Sequence, residues 1–411
     1  MDRRNFIERL TMGGGALATS SLMGFSVPEN QQTKRIKREE SDQKLTADVV
    51  IIGAGLGGCA AAFSALRNNL TVVLTEETDW VGGQLTQQGV PPDEHMWIET
   101  HGAPQLYRDF RTAIRAYYKK NYPLTEQAKA VQYLNPGSGS VSKLCHEPQV
   151  AVSVLMEMMA PYISAQKLVL LTEHKVVNAT VEKDEVRSVN VKNLRNKQTV
   201  TLSGSYFVDA TELGDLLPLT GTEYVTGTES KAQTNELHAP DKANPKNNQA
   251  FTMCFAIDYA PGEDWTIKKP AEYDFWKEFV PKMRIPWSGK MIGLHYSDPR
   301  TLKPKELGFH PDGRQMGSML NLWNYRKIIN RENFVPGFYK GDITIVNWPQ
   351  NDYVLGDIVD VSEEVFNKHV YRAKQQSLSL LYWLQTEAPR PDGGKGWPGV
   401  RLRKDIMGTD D

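Results

Sequence analysis

Cysteine is scarce. The 411 residues hold three, Cys59, Cys145 and Cys254, far apart and in no C-x-x-C pair. That excludes a disulfide scaffold and a zinc-ribbon site. Net charge is scarce too. Lys and Arg total 48 against 49 Asp and Glu, a formal charge of −1. A nucleic-acid-binding domain usually carries a clear basic excess, so no nucleic-acid partner is expected. There is no run of roughly 18 apolar residues, so no transmembrane span is expected. Neither H-E-x-x-H nor a calcium-loop pattern occurs, and no metal site is expected. A G-x-S-x-G nucleophile elbow is also missing. What is present, 40% hydrophobic and 24% charged residues, is the make-up of a soluble globular protein, and the length predicts two domains.

The chain opens with Arg3-Arg4-Asn5-Phe6-Ile7, followed by a weakly apolar Gly/Ala/Leu/Met stretch. Residues 1–29 resemble a twin-arginine export signal, in which a receptor reads the paired arginines. The expectation is a protein exported by the twin-arginine machinery, periplasmic or extracellular. Residues 30–46 are polar and charged with no apolar period. They predict a flexible tether.

A nucleotide-binding unit follows. Asp48–Ile52 (DVVII) is a β-branched apolar run that predicts a strand buried on both faces. Gly53-Ala54-Gly55-Leu56-Gly57-Gly58 comes next, then an Ala-rich helical stretch, then the apolar run Leu70–Leu74 ending near Glu76. Strand, Gly-rich turn, helix, strand and acid form a Rossmann-like unit. In it Gly53 permits the tight turn and Gly55 lets the backbone approach a pyrophosphate. Gly58 lets helix and strand pack closely. The helix N-terminus offers unpaired N–H groups to the phosphates. Glu76, 18 residues past Gly58, is placed to take ribose hydroxyls, which favours FAD or NAD over NADP. Cys59 reads as a small residue at the helix–strand contact.

Beyond Glu76 the run TDWVGGQLTQQGVPPDE, with Gly82, Gly83 and Gln84 at its centre, resembles the extended fingerprint of two-dinucleotide-binding-domain flavoproteins. Together with ETHGAPQLYRDFR, CHEPQVAVSVLMEMM, FVDATELGDLLPLTG, NLWNYRKI and VNWPQNDY, it resembles a bacterial FAD-dependent oxidoreductase family carrying a W-x-G-G-Q-L/M-T-x-Q-G signature. The likeness spans about residues 47–411. It implies FAD as cofactor and hydride transfer between flavin N5 and an organic small molecule. It also implies cofactor contacts from Gly82, Gly83 and Gln84, from the backbone near Val176 or Val177, and from the strand end at Ala210-Thr211. His101 (Thr-His-Gly) and His146 (Cys-His-Glu-Pro) lie in family-like segments and are the candidate catalytic bases, since His is best poised for proton transfer near neutral pH. A capping or hydrogen-bonding role is the alternative for each. Gly57 completes the set of loop glycines.

The expected fold is α/β. A Rossmann-like FAD/NAD(P)-binding domain (47–225) has a β-meander crossover, read from three short alternating runs between His174 and Gly204. An α+β substrate or cap domain (226–411) follows. Two departures from the resembled pattern stand out. Glu212 follows Thr211 where many flavoproteins have Gly. No Gly-Asp turn for the ribityl chain follows later, so a chain truncated at its C-terminus, with weakened FAD binding, is expected. Two alternatives to a working FAD oxidoreductase remain: a non-catalytic dinucleotide-binding remnant, and an NAD-dependent dehydrogenase, against which Gly82-Gly83 argues.

Overall fold

Strand β1 (Lys44–Ile52) is the axis of the fold. Its residues 49–52 carry side chains alternately to two apolar layers, which suits a run of Val and Ile. The computed structural model describes residues 36–38, 43–283 and 287–408. The arginine pair and the rest of the expected export signal lie outside them. β1 pairs in parallel with β2 (Val72–Thr75), and β2 with β3 (Leu168–Leu171). On its other side β1 pairs in parallel with β6 (Thr199–Asp209). Between them in sequence come β4 (His174–Glu182) and β5 (Glu185–Asn193), which run antiparallel to one another and on to β6. The order is β3-β2-β1-β6-β5-β4. It is a Rossmann-like sheet with a β-meander crossover, and its strand order reverses at β1. The crevice outside the carboxyl ends of the strands at such a reversal is where α/β folds bind ligands.

The strand starts earlier than the sequence suggests. Lys44, Leu45 and Thr46, inside the expected tether, are paired with Thr201, Leu202 and Ser203 of β6. Lys37–Arg38 forms a short strand on Thr46 and Leu45. The long β6 supplies backbone partners well upstream of the apolar run, and paired backbone is preferred to bare polar groups.

One face of the sheet, through Val49, Ile51, Val72 and Leu74, packs on α1 (Leu56–Arg67), α2 (Gln105–Asn121) and α3 (Pro148–Ser164). The other face, through Val50, Ile52 and Val73, packs with Val176, Val189 and Val191 of the meander and with Leu216 of α4 (Leu216–Thr220). A second, antiparallel sheet holds β7 (Phe255–Tyr259), β8 (Lys327–Ile329), β9 (Ile343–Val346) and β10 (Val400–Leu402), in the order β8-β9-β7-β10. Ile328, Ile343 and Ile345 of this sheet belong to the same core as α1 and α3. Ile257 and Val346 belong instead to an aromatic core with Trp276, Trp323 and Trp348, covered by the long helix α5 (Glu363–Thr386). The second sheet therefore bridges two cores, and packing is continuous past residue 226. Among the described residues no helix is long and apolar enough to cross a membrane.

Candidate dinucleotide-binding site

The ends of β1, β2 and β6 converge on one cavity of about 1040 Å³, walled in part by Gly53, Gly55, Glu76, Ala210, Thr211 and Glu212. Gly53 sits at φ +94°, where an L side chain is strained. Its N–H donates to the Thr75 carbonyl (3.1 Å), and a Cβ there would collide with the Ala210 backbone. A Cβ on Gly58 would run into the Gly53 carbonyl and reach the Ala210 side chain at 3.3 Å. Helix, loop and strand thus touch through missing side chains. Gly57 is exposed, and a Cβ there would meet nothing within 4 Å.

Gly55 differs from both. Its φ of −60° and ψ of −178° are open to any residue, and a Cβ would meet only the Glu212 carboxylate, 3.2 Å away. The room beside it is cavity. The first ladder bond of α1 runs from Cys59 N–H to Gly55 O (2.9 Å). The amides of Leu56, Gly57 and Gly58 therefore precede the helix ladder, which makes this end a seat for anions. Burial pushes the Cys59 thiol up to about 12. The thiol donates to the Ala54 carbonyl (3.2 Å), so it packs and has no redox partner.

Glu76 directly follows β2 and is 5% exposed. Its Oε2 accepts from Ala54 N–H (3.0 Å), and its Oε1 accepts from the amide (3.0 Å) and hydroxyl (2.9 Å) of Thr78. Burial raises its pKa against those donors, and the charge of Glu212 adds to the rise. The carboxylate braces the Gly loop while lining the cavity. Oε2, which accepts one hydrogen bond from the protein, can accept a further one. β4 docks here, with His174 N–H donating to the Glu76 carbonyl (2.8 Å). Val176 is buried on the cavity wall. Val177 is 44% exposed and lies off it, because successive strand side chains alternate in direction.

Gly82 (φ +108°) and Gly83 (φ +53°) fold back onto the loop. Gly82 N–H donates to the Ala54 carbonyl (2.7 Å). A Cβ on Gly83 would stand 3.0 Å from both Gly55 Cα and Glu212 Oε1. Gln84 is exposed and off the wall. Three residues later Gln87 is on it, with Oε1 buried and without a hydrogen-bond partner among the described residues. No sequence signal marked Gln87, which falls on the unspecified position between Thr86 and Gln88 of the signature. The far wall includes Val359, Glu363 and Phe366, around the start of α5, which no motif announces.

Neither candidate histidine lines this cavity. His101 is exposed and stacked on Trp97, with ring centroids 6.0 Å apart. His146 is 2% exposed, and its Nδ1–H donates to the Glu147 carbonyl (3.0 Å). Burial holds its pKa down to about 4, so it is neutral at pH 7. Its Nε2 has no hydrogen-bond partner among the described residues. A separate polar cluster joins the segment after Gly89 to the second sheet. Arg326 pairs with Asp93 (3.3 Å) and donates from Nε to the Asn347 carbonyl (3.1 Å), and Asn347 Nδ2 contacts Cys254 Sγ (3.2 Å). Among the described residues no group of three or more His, Cys, Asp or Glu is placed to hold a metal.

The residues present fit a dinucleotide. Gly55 leaves a cradle that a side chain would fill, and among the described residues α1 presents unpaired amides and Gln87 a buried acceptor without a donor. A family model described as "FAD dependent oxidoreductase" matches residues 48–409. A carotenoid phi-ring synthase of Chlorobaculum tepidum is 36% identical over 105 residues, 24% of this chain and 16% of that protein. The chain therefore spans about a sixth of the length of that curated relative. Among solved structures, a glycerol-3-phosphate dehydrogenase from Bacillus halodurans complexed with FAD is 16% identical. The match covers 42% of this chain and 36% of that one, with a TM-score of 0.27. A 3-ketosteroid-delta4-(5alpha)-dehydrogenase from Rhodococcus jostii is 15% identical, covering 40% and 45%, with a TM-score of 0.24.

Proposed function

Because the chain belongs to the FAD dependent oxidoreductase family, whose cofactor is FAD, we propose that it oxidises or reduces an organic small molecule. Bound FAD supplies the redox chemistry, hydride transfer at flavin N5; the chain supplies binding, orientation and electrostatics. The carrying observation is the cradle. Gly55 and the first amides of α1 seat the pyrophosphate, Glu76 takes ribose hydroxyls, and His174 and Val176 flank the adenosine end of the cavity. Gly82-Gly83 holds the loop from behind, and Gln87 offers an acceptor farther along the wall.

One observation favours a second reading, a dinucleotide-binding remnant without turnover. His101 and His146 both lie off the cavity wall, so the described cavity contains neither of the bases expected from sequence. The two readings part in one experiment. The FAD-loaded protein is mixed anaerobically with a panel of alcohols, 2-hydroxy acids, amines and ketosteroids, and flavin absorbance is followed at about 450 nm, a band the cofactor itself carries. An oxidoreductase bleaches with at least one class. Stable flavin binding with no bleaching by any class, and no reoxidation of the reduced protein by the corresponding carbonyl compounds, contradicts the redox proposal and leaves the remnant.

A further inference from the structure

The carboxylate of Glu212 stands where an anionic ligand would be expected. Virtual Cβ atoms on Gly55 and Gly83 both point at its Oε1, at 3.2 and 3.0 Å. These are the two glycine loops whose bareness makes the phosphate seat. The position of residue 212 is fixed by its own turn. Asp209 Oδ1 accepts from the amide (3.0 Å) and hydroxyl (2.7 Å) of Thr211, and its Oδ2 accepts from Leu216 N–H (2.9 Å). Asp215 N–H donates to the Thr211 hydroxyl (2.7 Å). The turn holds the Glu212 backbone beside the Gly53–Gly58 contact, and its exposed side chain reaches over Gly55.

The rest of the wall does not offset this charge. Glu76, Glu77, Asp215, Asp360 and Glu363 also line the cavity, against Lys175 as the one Lys or Arg on the wall among the described residues, and Lys175 is itself paired with Glu77 at 2.9 Å. A pyrophosphate entering the seat finds backbone amides in its favour and fixed negative charge against it. Like charges within about 4 Å repel appreciably at a protein surface, and salt screens them.

We infer that Glu212 is a built-in anionic occupant of the phosphate seat, which a dinucleotide must displace, so that it tunes cofactor affinity and exchange. The inference rests on the dinucleotide reading of the cavity. Binding then requires the carboxylate to swing toward solvent, which its exposure allows. The affinity for phosphate-bearing ligands rises with ionic strength, the reverse of binding to a cationic site.

The test is a set of titrations of FAD, ADP and adenosine into the wild-type chain, Glu212→Gln and Glu212→Gly, at low and high salt. Circular dichroism and thermal unfolding check the fold of each variant. Both variants are expected to bind FAD and ADP on the order of tenfold more tightly at low salt, with the gain shrinking at high salt and adenosine unaffected. Unchanged or weaker ADP binding in Glu212→Gln overturns the inference, since the carboxylate would then be neutral or helpful to the phosphates. An equal gain for adenosine overturns it too, because the effect would not be directed at phosphate. If wild type and variants all bind FAD, ADP and adenosine no better than an unrelated protein, the dinucleotide reading falls and the inference with it. That outcome is distinct from tight but unaltered binding, which removes the inference alone.

Discussion

A single methyl group separates the glycines of the loop after β1. At Gly58 it would enter the Gly53 carbonyl, a backbone atom that cannot move without shifting β1. At Gly57 it would meet nothing within 4 Å, and alanine is the better helix former. Gly58→Ala is therefore expected to cost roughly 1–3 kcal/mol or more through overpacking. Gly57→Ala is expected to be neutral or to gain up to about 1 kcal/mol. Thermal unfolding of both variants checks this, and a comparable loss in the two would contradict the packing described. The sequence assigned Gly53, Gly55 and Gly58 separate tasks from spacing alone, and the turn at Gly53 and the helix contact at Gly58 were legible because both are local. Glu212 was visible only as a departure from glycine. Its meaning needed the fold, since Gly55, Gly83 and Glu212 meet from three distant stretches of chain.

Between helices, the half-buried carboxyl of Glu147 joins α2, α3 and a distant loop. It lies at the N-terminus of α3 and accepts from the hydroxyls of Tyr118 (3.1 Å) and Tyr339 (3.1 Å). Its own N–H donates to Tyr118 Oη (2.9 Å). Burial raises its pKa, opposed by hydrogen bonds from Tyr122, Tyr339 and Tyr118 and by the charge of Arg403. A carboxyl whose folded pKa lies above its unfolded value holds its proton more tightly when folded. Its contribution is fully present below the ordinary carboxyl range and is lost as pH rises through the raised value. Glu147→Gln mimics the protonated form. The variant is expected to match wild type near pH 4 and to melt roughly 1–3 °C higher near pH 9. A lower melting temperature for the variant at pH 9 would mean that the ionised carboxylate is favourable in the fold. The sequence marked only the neighbour His146 here, because a His in a Cys-His-Glu-Pro segment looks chemical. The structure buries the ring, and the carboxyl beside it gathers the phenols.

At the scale of the whole molecule, the Rossmann-like half was readable as a unit, whereas the assembly of the second half was not. β1, α1, β2 and the meander follow one another along the chain with long periodic runs, so pattern and turn chemistry identify them. The second sheet is assembled from strands of three to five residues taken from positions 255, 327, 343 and 400, too short and too scattered for their pairing to show. Its packing against both cores also blurs the expected boundary at residue 226. Likewise the far wall of the cavity comes from the start of α5, some 300 residues after the Gly loop, and no local signal could place it there. The central claim is that this cavity seats the pyrophosphate of FAD beside Gly55. The most direct measurement is an FAD titration by fluorescence quenching on the wild-type chain and on Gly55→Val, with circular dichroism to check folding. Valine fits the extended backbone at this position and its Cβ would meet only the movable Glu212 carboxylate, so the variant is expected to fold. Filling the seat removes two or more hydrogen bonds to charged oxygens, at about 1.5–3 kcal/mol each, and the predicted result is a loss of affinity of at least about a hundredfold. A folded Gly55→Val protein that binds FAD as tightly as wild type would contradict the account.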